Sequence, residues 1–170
     1  MPGASDSAEV AAAILESLAV DWALIGGLAA NVYRDYERFT VDADVLARGD
    51  DGNAERIAAA FRAAGFVVDE ISDTGEPTHL LLCRRNDAEI DVLLPVVEYQ
   101  FEALRRSSDA HLLTVEDVLV HKLIAWRPQD QDDIGSILRT GIEFDMSYVD
   151  TWSAVFDVVE NWSTAKRRSE

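Results

Sequence analysis

The spacing of apolar and polar positions switches between two periods along the chain, at glycines, prolines and short polar runs. In "DSAEVAAAILESLA" (6–19), Val10, Ile14, Leu15 and Leu18 fall on one helical stripe, and Asp6 with Glu9 reads as a capping box. "DWALI" (21–25) predicts a short strand running into Gly26-Gly27, and "GLAANVYRDY" (27–36) a helix with Leu28, Val32 and Tyr33 near one face. "TVDADVLA" (40–47) predicts a strand and "RGDDGN" a turn. Asn53 is the expected cap of the helix "AERIAAAFRAA", which Gly65 closes. Three strands follow, "FVVDEI" (66–71), "THLLLCRR" (78–85) and "EIDVLLP" (89–95), the last two joined by the tight connection "NDA". Beyond residue 95 the period is helical. Thr114 and Asp117 frame "VEDVLVHKLIAWR", Pro128 stops it, and "QDQDDIGSILRTG" ends on a glycine. "SYVDTWSAVFDVVENW" predicts one final helix with Val149, Trp152, Val155, Phe156 and Val159 on its apolar side, and "STAKRRSE" a frayed basic tail.

This order predicts an α/β (α+β) chain: a small mixed sheet flanked by helices, with a helical C-terminal part packed on it. Residues 1–95 form the α/β core of that reading and residues 96–170 the helical part.

Composition narrows the function classes. The formal charge of −17 argues against broad, sequence-blind nucleic-acid binding, which needs a basic footprint, although it also serves plain solubility. The single cysteine, Cys83, excludes an intramolecular disulfide and reads as a small buried hydrophobe. The N-terminus has no basic, then apolar leader pattern, and no apolar run approaches a membrane span, so a cytoplasmic protein is the expectation.

Two strands carry acids among apolar residues. Side chains alternate along a strand, so Asp42 and Asp44 share a face. Carboxylates held that close raise each other's pKa unless a cation lies between them, and all-oxygen ligands suit Mg²⁺ or Mn²⁺. Asp91 offers a third carboxylate from a second strand, with Glu89 a weaker candidate on the same face. If those strands are neighbours, three acids converge, the number a two-metal phosphoryl-transfer site needs. An ordinary half-exposed strand shows the same alternation. Gly26-Gly27 fits either a phosphate-binding turn at a helix start or simple tight packing there.

The diglycine, the fourteen residues before Asp42-Ala43-Asp44 and the separate Asp91 strand together resemble the nucleotidyltransferase fold of the DNA polymerase β-like superfamily. "GGLAANVY…ERFTVDADV" looks like the branch of AbiEii-type toxin nucleotidyltransferases, with an Arg-x-Thr-x-Asp-x-Asp strand matched by Arg38, Thr40, Asp42 and Asp44. "TVEDVLVHKLIAWRPQDQDDI" adds the Lys, Arg and spaced acids of that branch as Lys122, Arg127, Asp130 and Asp133. The acidic charge departs from what an RNA-directed member is expected to show.

The resemblance implies transfer of a nucleoside monophosphate from a nucleoside triphosphate (NTP) to a hydroxyl acceptor, with two Mg²⁺ or Mn²⁺ ions on Asp42, Asp44 and Asp91. Asp91 would also help deprotonate the acceptor. Gly26, Gly27, Lys122 and Arg127 would meet the phosphates, Arg38 phosphate or acceptor, and Thr40 would tie the strand to the diglycine turn. Three outcomes remain open: a toxin acting on RNA or protein under an antitoxin's restraint, an aminoglycoside-type antibiotic-modifying enzyme, and an inactive binding relative. Lys122 is either a residue snorkelling at an edge or one aimed into a site. Asp133 reads as a helix-spaced ion-pair partner of Arg127. His79, His111 and His121 have no ligand spacing.

Overall fold

A computed structural model describes residues 3–50, 52–86 and 88–169. Asp51 of the "RGDDGN" turn and Asp87 of the "NDA" connection therefore lie outside the described residues. Five strands, β1 (Trp22–Leu24), β2 (Ala43–Ala47), β3 (Val67–Ile71), β4 (Leu80–Arg85) and β5 (Ala88–Leu93), form one mixed sheet in the order β1-β2-β5-β4-β3. β2 and β5 run parallel side by side; the other neighbours are antiparallel. Helices α1 (Ala4–Ser17), α2 (Gly26–Tyr33) and α3 (Asn53–Ala63) interleave with the strands, and α4 (Glu98–Arg106), α5 (Val115–Ala125), α6 (Pro128–Arg139), α7 (Met146–Val155) and α8 (Val159–Ser169) follow the sheet.

Strand alternation sorts the side chains into two cores, one on each side of the sheet. Val45, Cys83, Ile90 and Val92 pack against α1 and α3 through Leu15, Ile57 and Phe61. Ala23 and Leu46 face the other way, into the helical layer of Leu119, Leu123, Ile134 and Trp162. Asp44 lies two residues from Leu46, and Asp91 two from Leu93, so both acids share the sheet face of the helical layer. β3 is an edge strand and largely exposed, with Val67 69% accessible.

Several local expectations change in the folded chain. Helix α1 begins at Ala4, and Asp6 accepts the Gly3 amide from inside the first turn (2.9 Å). Gly52, left-handed, precedes α3, so Asn53 is the helix's first residue rather than its cap. Helix α2 buries Ala29 and Ala30 instead of Val32, which is 61% exposed, because small residues let it approach α5 closely. The strand expected from residue 40 starts at Ala43. The single final helix is two: Asp157 adopts φ 56°, and Val158 donates to the Ser153 carbonyl (2.8 Å) as the chain turns. Val155 and Val159 are consequently exposed. The basic tail is helical to Ser169, because Trp162 and Ala165 dock into the core. No helix is long and apolar enough to cross a membrane among the described residues.

Candidate metal and nucleotide site

The parallel pairing of β2 with β5 sets Asp44 directly beside Asp91 in register. Asp42, one residue before β2, reaches the same point, and one ligand oxygen from each carboxylate lies within 4.8 Å of the others. All three are partly exposed and border a cavity of ≈ 340 Å³. Among the described residues this is the one cluster of potential metal ligands.

The diglycine serves these acids first. Gly26 adopts φ +63°, and a β-carbon there would lie 1.9 Å from the Asp44 Oδ2. No L side chain fits. The Gly27 amide favours the charged form of the Asp44 carboxyl, and a β-carbon on Gly27 would meet Thr40 Oγ1 at 2.8 Å and Arg38 Nη2 at 2.9 Å. The Thr40 hydroxyl also reaches toward the Asp42 carbonyl at 3.4 Å. Side-chain-free backbone here makes space for a carboxylate and its supports.

Burial, followed by repulsion from Asp42 and Asp91, pushes the Asp44 carboxyl up to about 6 against the opposing pull of Lys122 and the Gly27 amide. A cation would relieve that repulsion, so the donor set fits a hard divalent ion. Arg84, a β4 residue that the sequence pattern did not single out, stands 2.7 Å from Asp91 Oδ1 as an ion pair. The pair makes no hydrogen bond, and Oδ1 has no hydrogen-bond partner among the described residues. Only the antiparallel register of β4 with β5 brings Arg84 to that face.

The same cavity is also lined by cations. Lys122 is 3% exposed and holds Asp130 at 3.0 Å and Asp133 at 2.8 Å. Arg38 grips Asp133 with Nε and Nη2 (2.7 and 3.0 Å), and Arg34 also bonds Asp133. Arg127 binds Asp130 through Nε (2.8 Å) and its own amide (3.0 Å) while its side chain stays 62% exposed. Asp133 therefore pairs with Arg34, Arg38 and Lys122 and not with Arg127, because it faces α2 and α5 across the helix layer. Burial works to raise both acids, but the hydrogen bonds from these cations outweigh it and hold Asp130 and Asp133 below the usual carboxylate range. Lys122, Arg38 and Arg127 all line the triad cavity.

The histidines lie elsewhere. His111 stacks on Trp22 (4.4 Å between centroids) and bonds its carbonyl, and His121 packs beside Tyr99, where burial pulls its pKa down to about 4. Burial pushes the Cys83 thiol up to about 12, consistent with an inert core residue.

No protein-family model matches the chain, and no curated protein matches it. Solved structures do. The solution structure of the antibiotic-resistance factor ANT(2'')-Ia superposes with a TM-score of 0.61 at 14% identity, covering 94% of each chain. The crystal structure of ANT(2'')-Ia in complex with adenylyl-2''-tobramycin gives a TM-score of 0.52 at 15% identity, over 94% of this chain and 95% of that one. A nucleotidyltransferase-like protein from Paracoccidioides brasiliensis is 20% identical with a TM-score of 0.47, over 99% of this chain and 95% of that one. The architecture that carries the three acids is the nucleotidyltransferase fold.

Proposed function

We propose that this protein is a metal-dependent nucleotidyltransferase that moves a nucleoside monophosphate from an NTP to a hydroxyl acceptor. One observation carries this reading: three carboxylates from β5 and the start of β2 converge within 4.8 Å beside a cation-lined cavity. Asp42, Asp44 and Asp91 are the residues that would hold Mg²⁺ or Mn²⁺, which supplies Lewis-acid neutralisation of the phosphoryl oxygens. Everything else falls to the chain's own residues. Lys122, Arg38 and Arg127 present positive charge to the triphosphate from the lining of the same cavity. Asp133 and Asp130 hold those cations in place before substrate arrives, so little reorganisation is needed. Asp91 lies on the side of β4 and takes the proton of the acceptor hydroxyl. The hydroxyl oxygen bonds to the α-phosphorus as the bond to pyrophosphate breaks.

The acceptor side has its own character. Beyond Asp91 the same sheet face carries Leu82, Glu89 and Asp69, with Arg84 already paired to Asp91 and 3.8 Å from Glu89. Together with the −17 net charge, this favours a cationic hydroxyl compound, such as an aminoglycoside, over an RNA end. A toxin acting on a protein hydroxyl under an antitoxin's restraint is the second reading, supported by Arg38, Thr40, Asp42 and Asp44 in the AbiEii-like pattern.

Incubation with each radiolabelled NTP and Mg²⁺, with aminoglycoside, protein or total RNA as acceptor, tests both. Label moves to an acceptor with the wild type and not with Asp44→Asn. Transfer to none of the three, by protein that is folded and metal-loaded, leaves an inactive binding relative as the answer.

A further inference from the structure

The cavity beside the triad has one lip that neither the acids nor the cations explain. Phe39 is 83% exposed and Val41 59% exposed, and both line the cavity. Phe39 also borders a neighbouring hollow of ≈ 330 Å³ lined by Leu28 and Asn31, so its ring stands between two open volumes. Leaving a phenylalanine in water forgoes the stabilisation that burial would bring.

This ring is not on a loose loop. Asn31 ties down the preceding residue from both sides, accepting the Arg38 amide at 3.1 Å and donating to the Arg38 carbonyl at 2.8 Å. The Arg38 guanidinium, itself locked on Asp133, donates to the Phe39 carbonyl at 3.2 Å. The backbone is pinned on each side of an aromatic side chain that touches little. Such an arrangement presents a flat apolar face at small entropic cost to whatever binds there.

The occupant follows from the polarity of the cleft. Arg38, Lys122 and Arg127 line the cavity together with Phe39, whereas Arg84 and Glu89 lie beyond Asp91 toward the outer strands. A triphosphate between the cations and the triad would have the Phe39 lip beside it in the same cavity, whereas Arg84 and Glu89 are not part of that lining. Every nucleobase has a π-face, and stacking on an aromatic ring is the tolerant way to hold one.

We infer that Phe39 is the platform on which the nucleobase of the donor NTP stacks, with Val41 as its apolar flank. This deepens the proposed function and rests on it. Phe39 contributes no group to the chemistry; it fixes the donor's base and so the direction in which the α-phosphate is presented.

Calorimetric titration in Mg²⁺ separates base from phosphate recognition. Non-hydrolysable analogues of the four NTPs and inorganic tripolyphosphate are titrated into wild type, Phe39→Ala and Phe39→Trp. Phe39→Ala is expected to weaken nucleotide binding about tenfold while leaving tripolyphosphate unchanged, and Phe39→Trp to retain or tighten nucleotide binding. Equal nucleotide affinity in Phe39→Ala and wild type overturns the inference, and so does an equal loss for nucleotide and tripolyphosphate. Failure of wild type to bind either ligand overturns the nucleotidyltransferase reading itself and this inference with it.

Discussion

Two groups of buried or half-buried aspartates, one lining the cavity and one behind its cations, have opposite electrostatics. On the helix side, Asp130 and Asp133 are fully buried yet held below the ordinary carboxylate range by Lys122, Arg38 and Arg127. On the sheet side, Asp44 has acids as its nearest charged neighbours, and its carboxyl is raised to about 6. Burial alone does not separate the two groups, since it pushes all of these acids upward. Partners decide. A cluster complete within the protein is structural and preorganising, whereas one short of positive charge is built to receive it.

The largest expected effect is on the complete cluster. Asp133→Ala strands Arg34, Arg38 and Lys122 without their shared carboxylate in a buried setting, which costs about 4 kcal/mol of stability. Urea melts followed by circular dichroism measure this. A loss under about 1 kcal/mol would show that solvent already compensates those cations and would erase the contrast.

Asp44→Asn tests the incomplete cluster and has the opposite sign. The raised Asp44 value means that the metal-free fold keeps this group's stability below the unfolded value near pH 4, loses it as pH rises to about 6, and lacks it above. Asp44→Asn is therefore more stable than wild type at pH 7.5 by about 3 kcal/mol in chelator, and the gap closes by pH 4. Millimolar Mn²⁺ narrows the gap at pH 7.5 by stabilising wild type alone. Thermal melts across pH 4–8, with and without Mn²⁺, check both parts; a gap that does not vary with pH breaks the assignment.

Arg127→Gln is the smallest. With the side chain 62% exposed, its pair with Asp130 is worth less than about 1 kcal/mol, and Lys122 keeps Asp130 satisfied. Stability barely moves. Tripolyphosphate affinity, read by the same calorimetry, falls severalfold if Arg127 meets phosphate, and is unchanged if it only caps α6.

Much of the site was legible in the chain because period and composition are local. Val, Ala and Ile beside Asp42, Asp44 and Asp91 marked apolar runs interrupted by acids, and the diglycine marked a helix entrance. Asp133 was misassigned to Arg127 because helical spacing offers only neighbours along one element, whereas its partners come from α5 and the segment after α2, 95 and 99 residues away for Arg38 and Arg34. Arg84 was missed for the same reason: its meaning depends on which strand lies beside β5. Phe39 looked like one apolar residue in a loop, and only its exposure beside the cavity distinguishes it.

What this sequence determined alone was most of its strands and helices, Asp44 on a strand within an apolar run, and a diglycine at the entrance of α2. Periodicity and backbone sterics are short-range, so they can be read residue by residue. The tertiary structure alone decided that β2 and β5 are parallel neighbours in the register Asp44–Asp91, and that α6 supplies the counter-charges for the cavity's cations. Those facts join residues on separate elements, and the physical reason is packing: each sheet face carries its own core.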